Sequence, residues 1–124
     1  IMLNSSGKVA EGSAENIFII KNGIIKTPPL NADILNGITR DSIIRLIKSN
    51  RIKLIEKNIT VKELLHADEV FMTGTAAEVK SVSRINKTTI GNGKIGKITK
   101  ILQKSFIDVV MDRDQKFASW LRYI

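Results

Sequence analysis

The chain has 124 residues, 43% of them hydrophobic, which is enough for one domain with its own core. It has no cysteine, which excludes disulfides and cysteine nucleophiles, and its single histidine, His66, argues against a histidine-based metal site. The net charge of +8 suggests nucleic acid, but the basic residues are scattered and aromatic residues make up only 5%, so we expect no nucleic-acid partner. No apolar run spans a membrane and no signal-peptide pattern is present, so we predict a cytoplasmic protein without a membrane partner.

The first predicted element is a β-hairpin. Apolar runs at residues 15–20 and 23–26 flank Asn22-Gly23, a pair that accepts the positive φ angles of a tight turn. Pro28 and Pro29 should then end the sheet, because proline cannot donate to a strand ladder.

A helix should follow a loop over residues 31–37. Thr39 can cap its N-terminus, and Asp41 suits its first turn. Apolar residues then recur at helical spacing as far as about Asn50.

The second half of the chain alternates strands and helices. We predict a strand near 51–59, a short helix at 61–65, a buried strand at 69–73, a hairpin of 78–85 with 88–90 across Asn86-Lys87, a long amphipathic helix from Lys97, and a terminal helical stretch carrying Trp120. The sequence therefore predicts one mixed α and β domain with mostly antiparallel strands.

Glu11 carries the first candidate site. It precedes Gly12, Ser13 and Ala14, which are small enough for a flat ring to approach closely. A pyridoxal cofactor is a flat ring that needs such a neighbour. It withdraws electrons only while its ring nitrogen is protonated, and a neighbouring carboxylate keeps that nitrogen protonated. The alternative is a solvated turn before a strand, with Glu11 exposed.

The second candidate site is Asn36-Gly37-Ile38-Thr39 at the predicted helix start. Free N–H groups and the helix dipole at such an end bind phosphate, and the Thr39 hydroxyl could add a donor. The alternative is an ordinary threonine cap.

The third candidate site is Thr73-Gly74-Thr75-Ala76-Ala77 after a strand. Small residues there leave backbone N–H groups free to face a carboxylate or phosphate. The alternative is a tight turn into the next strand.

Two other features carry no chemistry in our interpretation. Residues 91–96 match G-x-G-x-x-G, but no second parallel strand can follow, so we interpret them as a loop leading into a helix. His66 beside Ala67-Asp68 is interpreted as a surface or partly packed residue.

The order of the motifs resembles a known family. The motifs are Glu11-Gly-Ser-Ala-Glu-Asn16, Thr27-Pro-Pro29, Leu35-Asn-Gly-Ile-Thr-Arg40, Ala67-Asp-Glu-Val70 and Gly74-Thr-Ala-Ala-Glu78. In this order they resemble the C-terminal domain of fold-type IV pyridoxal-phosphate enzymes, specifically branched-chain amino-acid aminotransferases. The resemblance implies an α+β pseudo-barrel of mostly antiparallel strands with packed helices over 1–124.

The resemblance assigns five residues to the cofactor, pyridoxal 5'-phosphate. Glu11 would pair with the pyridine nitrogen, and Leu35 would pack on the ring. The backbone N–H groups of Ile38 and Thr39, the Thr39 hydroxyl and Thr75 would hold the phosphate.

It assigns four residues to the substrate. The backbone at Thr75 and Ala76 would receive the α-carboxylate, Gly74 would contact the substrate beside them, and Ala14 would line the side-chain pocket.

The resemblance also implies what the whole enzyme does. It would transfer the amino group of leucine, isoleucine or valine to 2-oxoglutarate, as a homodimer or larger homo-oligomer. The Schiff-base lysine and an N-terminal domain would lie upstream of Ile1, so these 124 residues alone should not transaminate. A D-amino-acid aminotransferase or an aminodeoxychorismate lyase of the same fold, and a non-enzymatic basic binding module, stay as alternatives.

Overall fold

The computed structural model describes residues 1–12, 15–30, 37–74 and 78–110. Residues 31–36 of the predicted loop and the terminal stretch with Trp120 lie outside them. The elements within the described residues are β1 (Met2–Leu3), β2 (Val9–Gly12), β3 (Glu15–Lys21), β4 (Ile24–Thr27), α1 (Ile38–Ser49), β5 (Leu54–Glu56), α2 (Val61–Leu65), β6 (Glu69–Gly74), β7 (Glu78–Ser81), β8 (Arg84–Ile85), β9 (Thr88–Thr89) and α3 (Lys97–Val110). None of these helices is both long and apolar enough to cross a bilayer.

The strands form one mixed sheet and a small separate hairpin. Strands β1 to β5 pair in sequence order, β6 pairs with β3, and β7 pairs with β6. Every pairing is antiparallel except that of β4 with β5. The predicted mixed, mostly antiparallel domain is therefore confirmed for the described residues.

The predicted hairpin is confirmed as β3 and β4. Asn22 and Gly23 have φ angles of 53° and 77°, which is the conformation that a two-residue turn with the natural strand twist requires. The turn aligns Lys21 with Ile24 and Ile20 with Ile25. This register directs alternate residues of β3 to opposite faces of the sheet.

The two faces of the sheet carry two different apolar clusters. One face packs against α1 and α3, and Phe18 of β3 stacks on Phe71 of β6 at its centre, with ring centroids 4.8 Å apart. The other face packs around α2 and the segments near Ile59 and Ile90. We call the first the helix face; it is also the face on which the candidate site lies.

Three local predictions were wrong in part, and two strands were missed. The strand predicted over 78–85 is divided into β7, which pairs with β6 in the main sheet, and β8, which pairs with β9 in the small hairpin. Thr39 does not cap α1, because the helix begins at Ile38 after the extended Gly37 and so already includes Thr39. The strand predicted over 51–59 is reduced to β5, because Arg51 turns out of α1 with a φ angle of 58°. The strands β1 and β2 were not predicted, since their short sequence lacks a clear alternation.

The N-terminus of α3 is capped by a residue from a distant strand. The Glu69 carboxylate accepts hydrogen bonds from the backbone N–H groups of Thr99 at 2.8 Å and Ile98 at 3.3 Å. Position 96 requires glycine, because the Cβ atom of any other residue would overlap the Glu69 carboxylate. The glycine motif at 91–96 is therefore a loop leading into a helix, as predicted.

Replacing Glu69 with alanine should destabilise the fold. Glu69→Ala removes the acceptor for two N–H groups and should lower the free energy of unfolding by about 1 kcal/mol. Glu69→Gln keeps an acceptor but removes the charge that faces the helix dipole, so its loss should be about half as large. Urea unfolding followed by circular dichroism measures both, and an unchanged midpoint for Glu69→Ala would show that the cap contributes nothing.

Candidate functional site

Three buried polar residues form a row across the helix face. Glu11 of β2 lies opposite Asn16 of β3, and Asn16 lies opposite Thr73 of β6. Their relative exposures are 9%, 5% and 0%. Directly opposed residues share a face, so the three side chains lie on one side of the sheet. Asn16 lies two residues before Phe18 on β3, so this side is the helix face, against which α1 packs. The exposed-turn alternative for Glu11 is therefore wrong.

Helix α1 begins next to this row. A Cβ atom on Gly37, the residue before α1, would lie 2.5 Å from Oδ1 of Asn16. The first intrahelical hydrogen bond is donated by the N–H of Asp41 to the carbonyl of Gly37. By helix geometry the N–H groups of Ile38 and Thr39 have no intrahelical acceptor, and the residue at the cap position supplies no side-chain bond. This end of α1 therefore has the properties of an anion site.

Arg40 anchors the first turn of α1. Its side chain is only 2% exposed, and Nη2 donates to the carbonyl of Pro28 at 3.1 Å and to Oε1 of Glu56 at 2.8 Å. The contact with Asp41 is longer, at 3.9 Å. Arg40 thus ties the helix start to the end of β4 and to β5.

The hydroxyl of Thr73 is an unusual feature of the row. Its Oγ1 is buried and has no hydrogen-bond partner within the described part of the chain. Thr27 is equally buried, but its hydroxyl donates to the carbonyl of Ile17 at 2.7 Å. A buried polar atom without a partner is costly, and a bound ligand is one reason for its retention.

The structure describes only part of the predicted site. It brings Glu11 and the start of α1 at Ile38 and Thr39 to the same face. Gly74 ends β6 directly after Thr73 and pairs with Glu78 of β7. The predicted residues Ala14, Leu35, Thr75 and Ala76 lie outside the described residues.

Two residues of this region, Asn16 and Arg40, had no predicted role, and Thr73 was predicted only as part of a backbone site and not for its hydroxyl. Asn16 could have been found by interpreting the residues around Glu11 and Asn16 as two paired strands, since the structure pairs Gly12 with Glu15. Reading this segment as a hairpin would have placed Asn16 opposite Glu11. No comparable signal exists for the buried Thr73 hydroxyl or for Arg40, whose neighbours come from distant segments.

A cavity of about 370 Å³ lies on the other face of β3 and β4. Two of its lysines form ion pairs: Lys26 binds Glu63, which also lines the cavity, at 2.5 Å, and Lys21 binds Asp68 at 3.2 Å. The bond from Lys26 lowers the pKa of Glu63 from its usual range. His66 is exposed there and its Nδ1 lies 2.8 Å from the carbonyl of Lys62, which agrees with the surface role predicted for it. The cavity is therefore separate from the candidate site.

Comparison with known families decides which class of protein this is. The family described as amino-transferase class IV matches residues 1–85. The chain belongs to this family. The match includes Glu11, the start of α1 and the end of β6.

Relatives and solved structures of the family agree with the assignment. The chain is 52% identical over 122 residues to a probable branched-chain-amino-acid aminotransferase of Aquifex aeolicus, covering 98% of this chain and 39% of that protein. It is 48% identical over 120 residues to the branched-chain-amino-acid aminotransferase of Pseudomonas aeruginosa, covering 97% of this chain and 39% of that protein. It therefore spans about two fifths of the length of these curated relatives.

Two solved structures show the same fold. The T.th. branched-chain amino acid aminotransferase, complexed with N-(5'-phosphopyridoxyl)-L-glutamate, superposes with a TM-score of 0.95 at 41% identity, over 99% of this chain and 42% of that one. The branched-chain aminotransferase of Thermoproteus uzoniensis with norvaline gives 0.94 at 43% identity, over 98% and 40%. The predicted fold class, that of the fold-type IV enzymes, is confirmed.

Replacing Thr73 with valine should not destabilise the chain. Thr73→Val removes a buried hydroxyl that has no partner and keeps the side-chain shape, so stability should be unchanged or rise by up to about 1 kcal/mol. The matched variant Thr27→Val breaks a buried hydrogen bond and should cost about 1–2 kcal/mol. Urea unfolding of both variants tests this, and equal losses for the two would contradict it.

Removing the Glu56 charge should destabilise the start of α1. Glu56→Gln leaves the buried Arg40 guanidinium without its close carboxylate, which should cost about 1–2 kcal/mol. The control Asp41→Asn removes a charge from the same arginine at 3.9 Å, where the expected loss is below about 1 kcal/mol. Thermal unfolding compares the two, and an equal or larger effect of Asp41→Asn would contradict this account of Arg40.

Proposed function

We propose that this chain forms the cofactor-binding part of a branched-chain amino-acid aminotransferase. The reaction is transfer of the amino group of leucine, isoleucine or valine to 2-oxoglutarate. The observation that supports it best is the buried Glu11 carboxylate on the same sheet face as the free N-terminus of α1, in a class IV aminotransferase chain.

The described residues fit pyridoxal 5'-phosphate. This cofactor has a ring nitrogen that needs an acidic partner and a phosphate that needs donors. Glu11 supplies the first, and the N–H groups of Ile38 and Thr39, at the positive end of α1, supply the second. The partnerless hydroxyl of Thr73 in the same row also fits a site built for a polar ligand.

Each side chain then has a definite task. The cofactor supplies an electron sink for the bond changes at the amino acid's α-carbon. Glu11 holds a proton at the ring nitrogen, because a carboxylate stabilises the cationic form of the ring. The start of α1 fixes the phosphate and thereby the position of the ring, and Arg40 keeps that start in place. The roles of Leu35, Thr75, Ala14, Gly74 and Ala76 stay predictions.

The names of the relatives support the substrate class. Both curated relatives carry the branched-chain name, and the Thermoproteus structure contains norvaline, an unbranched aliphatic amino acid. The T.th. structure contains an adduct of the cofactor with glutamate, the amino acid made from 2-oxoglutarate. They favour this reaction over a D-amino-acid aminotransferase, an aminodeoxychorismate lyase or a basic binding module.

The remaining features of the whole enzyme belong to the same proposal. They are a C-terminal domain position for residues 1–124, an upstream Schiff-base lysine, an N-terminal domain, a homo-oligomer and a cytoplasmic location. The relatives' greater length is compatible with the first three.

A binding experiment on this chain tests the central claim. The probe is pyridoxamine 5'-phosphate, because its amine form needs no lysine to be held, and binding is measured by isothermal titration and by the probe's fluorescence. Glu11→Gln should weaken binding about tenfold, since it replaces a charged hydrogen-bond partner of the ring nitrogen with a neutral one.

Glu15→Gln is the matched control. Glu15 loses the same charge, but it precedes Asn16 in β3 and so faces the other side of the sheet. Its affinity should stay within about twofold of the unsubstituted chain. No saturable binding by the unsubstituted chain, or equal losses for the two variants, would overturn the proposal.

A further inference from the structure

Asn16 occupies the centre of the polar row. It is 5% exposed and has Glu11 on one neighbouring strand and Thr73 on the other. The next residue on the same face, Phe18, belongs to the apolar cluster. An amide at this depth requires a specific reason, because an apolar side chain would extend that cluster at lower desolvation cost.

Asn16 also lies directly against the residue that precedes α1, Gly37. A Cβ atom on Gly37 would lie 2.5 Å from Oδ1 of Asn16, closer than packing permits, whereas its next neighbour, Cβ of Arg40, would be at 3.7 Å. The amide therefore fills the volume that any other side chain at position 37 would need. The first turn of α1 lies between two fixed points, Asn16 on the sheet and the Arg40 hydrogen bonds.

The chemistry of the amide suits this position. Aspartate has the same shape, but its charge would lie beside the Glu11 carboxylate and close to the end of α1 that attracts anions. Leucine would be similar in size but could not satisfy polar neighbours. Asparagine separates Glu11 from the helix start without adding a charge, so Glu11 stays the single charged residue of the row.

We infer that Asn16 is a positioning residue that sets the spacing between the Glu11 carboxylate and the phosphate-binding turn of α1. The inference rests on the proposed function, because that spacing matters only if one ligand bridges both points. Asn16 and Gly37 therefore form a matched pair. The Asn16 amide leaves no room for a side chain at position 37, and glycine fits there without displacing the amide.

A double-mutant cycle tests the pairing. Asn16→Ala, Gly37→Ala and the double variant are compared for affinity toward pyridoxamine 5'-phosphate, with urea unfolding to confirm that each is folded. Gly37→Ala alone should weaken binding about tenfold, because its new methyl group displaces the amide and the helix start. Asn16→Ala alone should weaken it to a similar degree. In the Asn16→Ala background, Gly37→Ala should change the affinity by less than about twofold, since the space is already empty.

The control cycle combines Gly37→Ala with Asn50→Ala. Asn50 lies at the other end of α1, where its side chain donates to the carbonyl of Leu46, so these two effects should multiply. Multiplied losses in the Asn16 cycle as well would overturn the inference.

A charge variant separates positioning from simple packing. Asn16→Asp keeps the shape, so a purely structural role predicts unchanged affinity and unchanged backbone amide chemical shifts for Ile38 and Thr39. Positioning beside a bound anion predicts that affinity falls about tenfold and that the two amide signals shift, with urea unfolding showing that the variant is folded. Unchanged affinity in Asn16→Asp overturns the inference, whereas failure of the unsubstituted chain to bind overturns the proposed function together with it.

Discussion

The hydrogen bonding of β3 along both of its edges is the constraint on which the rest of the structure depends. β6 pairs with five of its residues along one edge. Because a strand has only two edges, β2 and β4 must share the other, with β2 at Glu15 and Asn16 and β4 from Ile19 onward. Segments from the beginning and the middle of the chain therefore meet at Asn16. This pairing register produces the polar row, because it places Glu11, Asn16 and Thr73 side by side.

The alternation of β3 then places the polar row and an apolar cluster on the same face of the sheet. Phe18, stacked on Phe71, lies on the helix face together with the apolar residues of α1 and α3. The polar row continues that face by one more step, directly beside the apolar cluster. Buried polar groups at this place are unfavourable for folding unless they find partners. The stability of the apolar cluster offsets that cost and holds the row rigid, which is the condition for binding a ligand with defined geometry.

Local sequence signals predicted the elements whose conformation depends on neighbouring residues. Asn22-Gly23 predicted its hairpin because the turn itself demands those residue types. The short helix α2 was predicted with its bounds, and Thr60 and Glu63 form a reciprocal capping box at its start. The prediction for α1 was right in its extent but wrong in its cap. Gly37 precedes the helix because of Asn16, a residue on another element, and no helix rule contains that information.

The candidate site divides in the same way. Glu11 and the Ile38-Thr39 turn could be proposed from the sequence, because an acidic residue among small ones and a glycine before a helix have local physical meanings. Arg40 could not, since its partners Pro28 and Glu56 come from two other segments. Glu69 likewise caps α3, a helix that begins far along the chain from β6. Their roles depend on packing between elements rather than on spacing within one.

The sequence by itself thus determined the order of the helices and of the strands from β3 to β6, the absence of thiol chemistry and the motifs that resemble class IV aminotransferases. These properties follow from residue type and from spacing within one element, where the backbone geometry is known in advance. The tertiary structure alone decided that Asn16 lies between Glu11 and Thr73, that it touches Gly37, and that Thr73 has a hydroxyl without a partner among the described residues. Such contacts depend on strand register and helix docking, which are set by the packing of the whole chain.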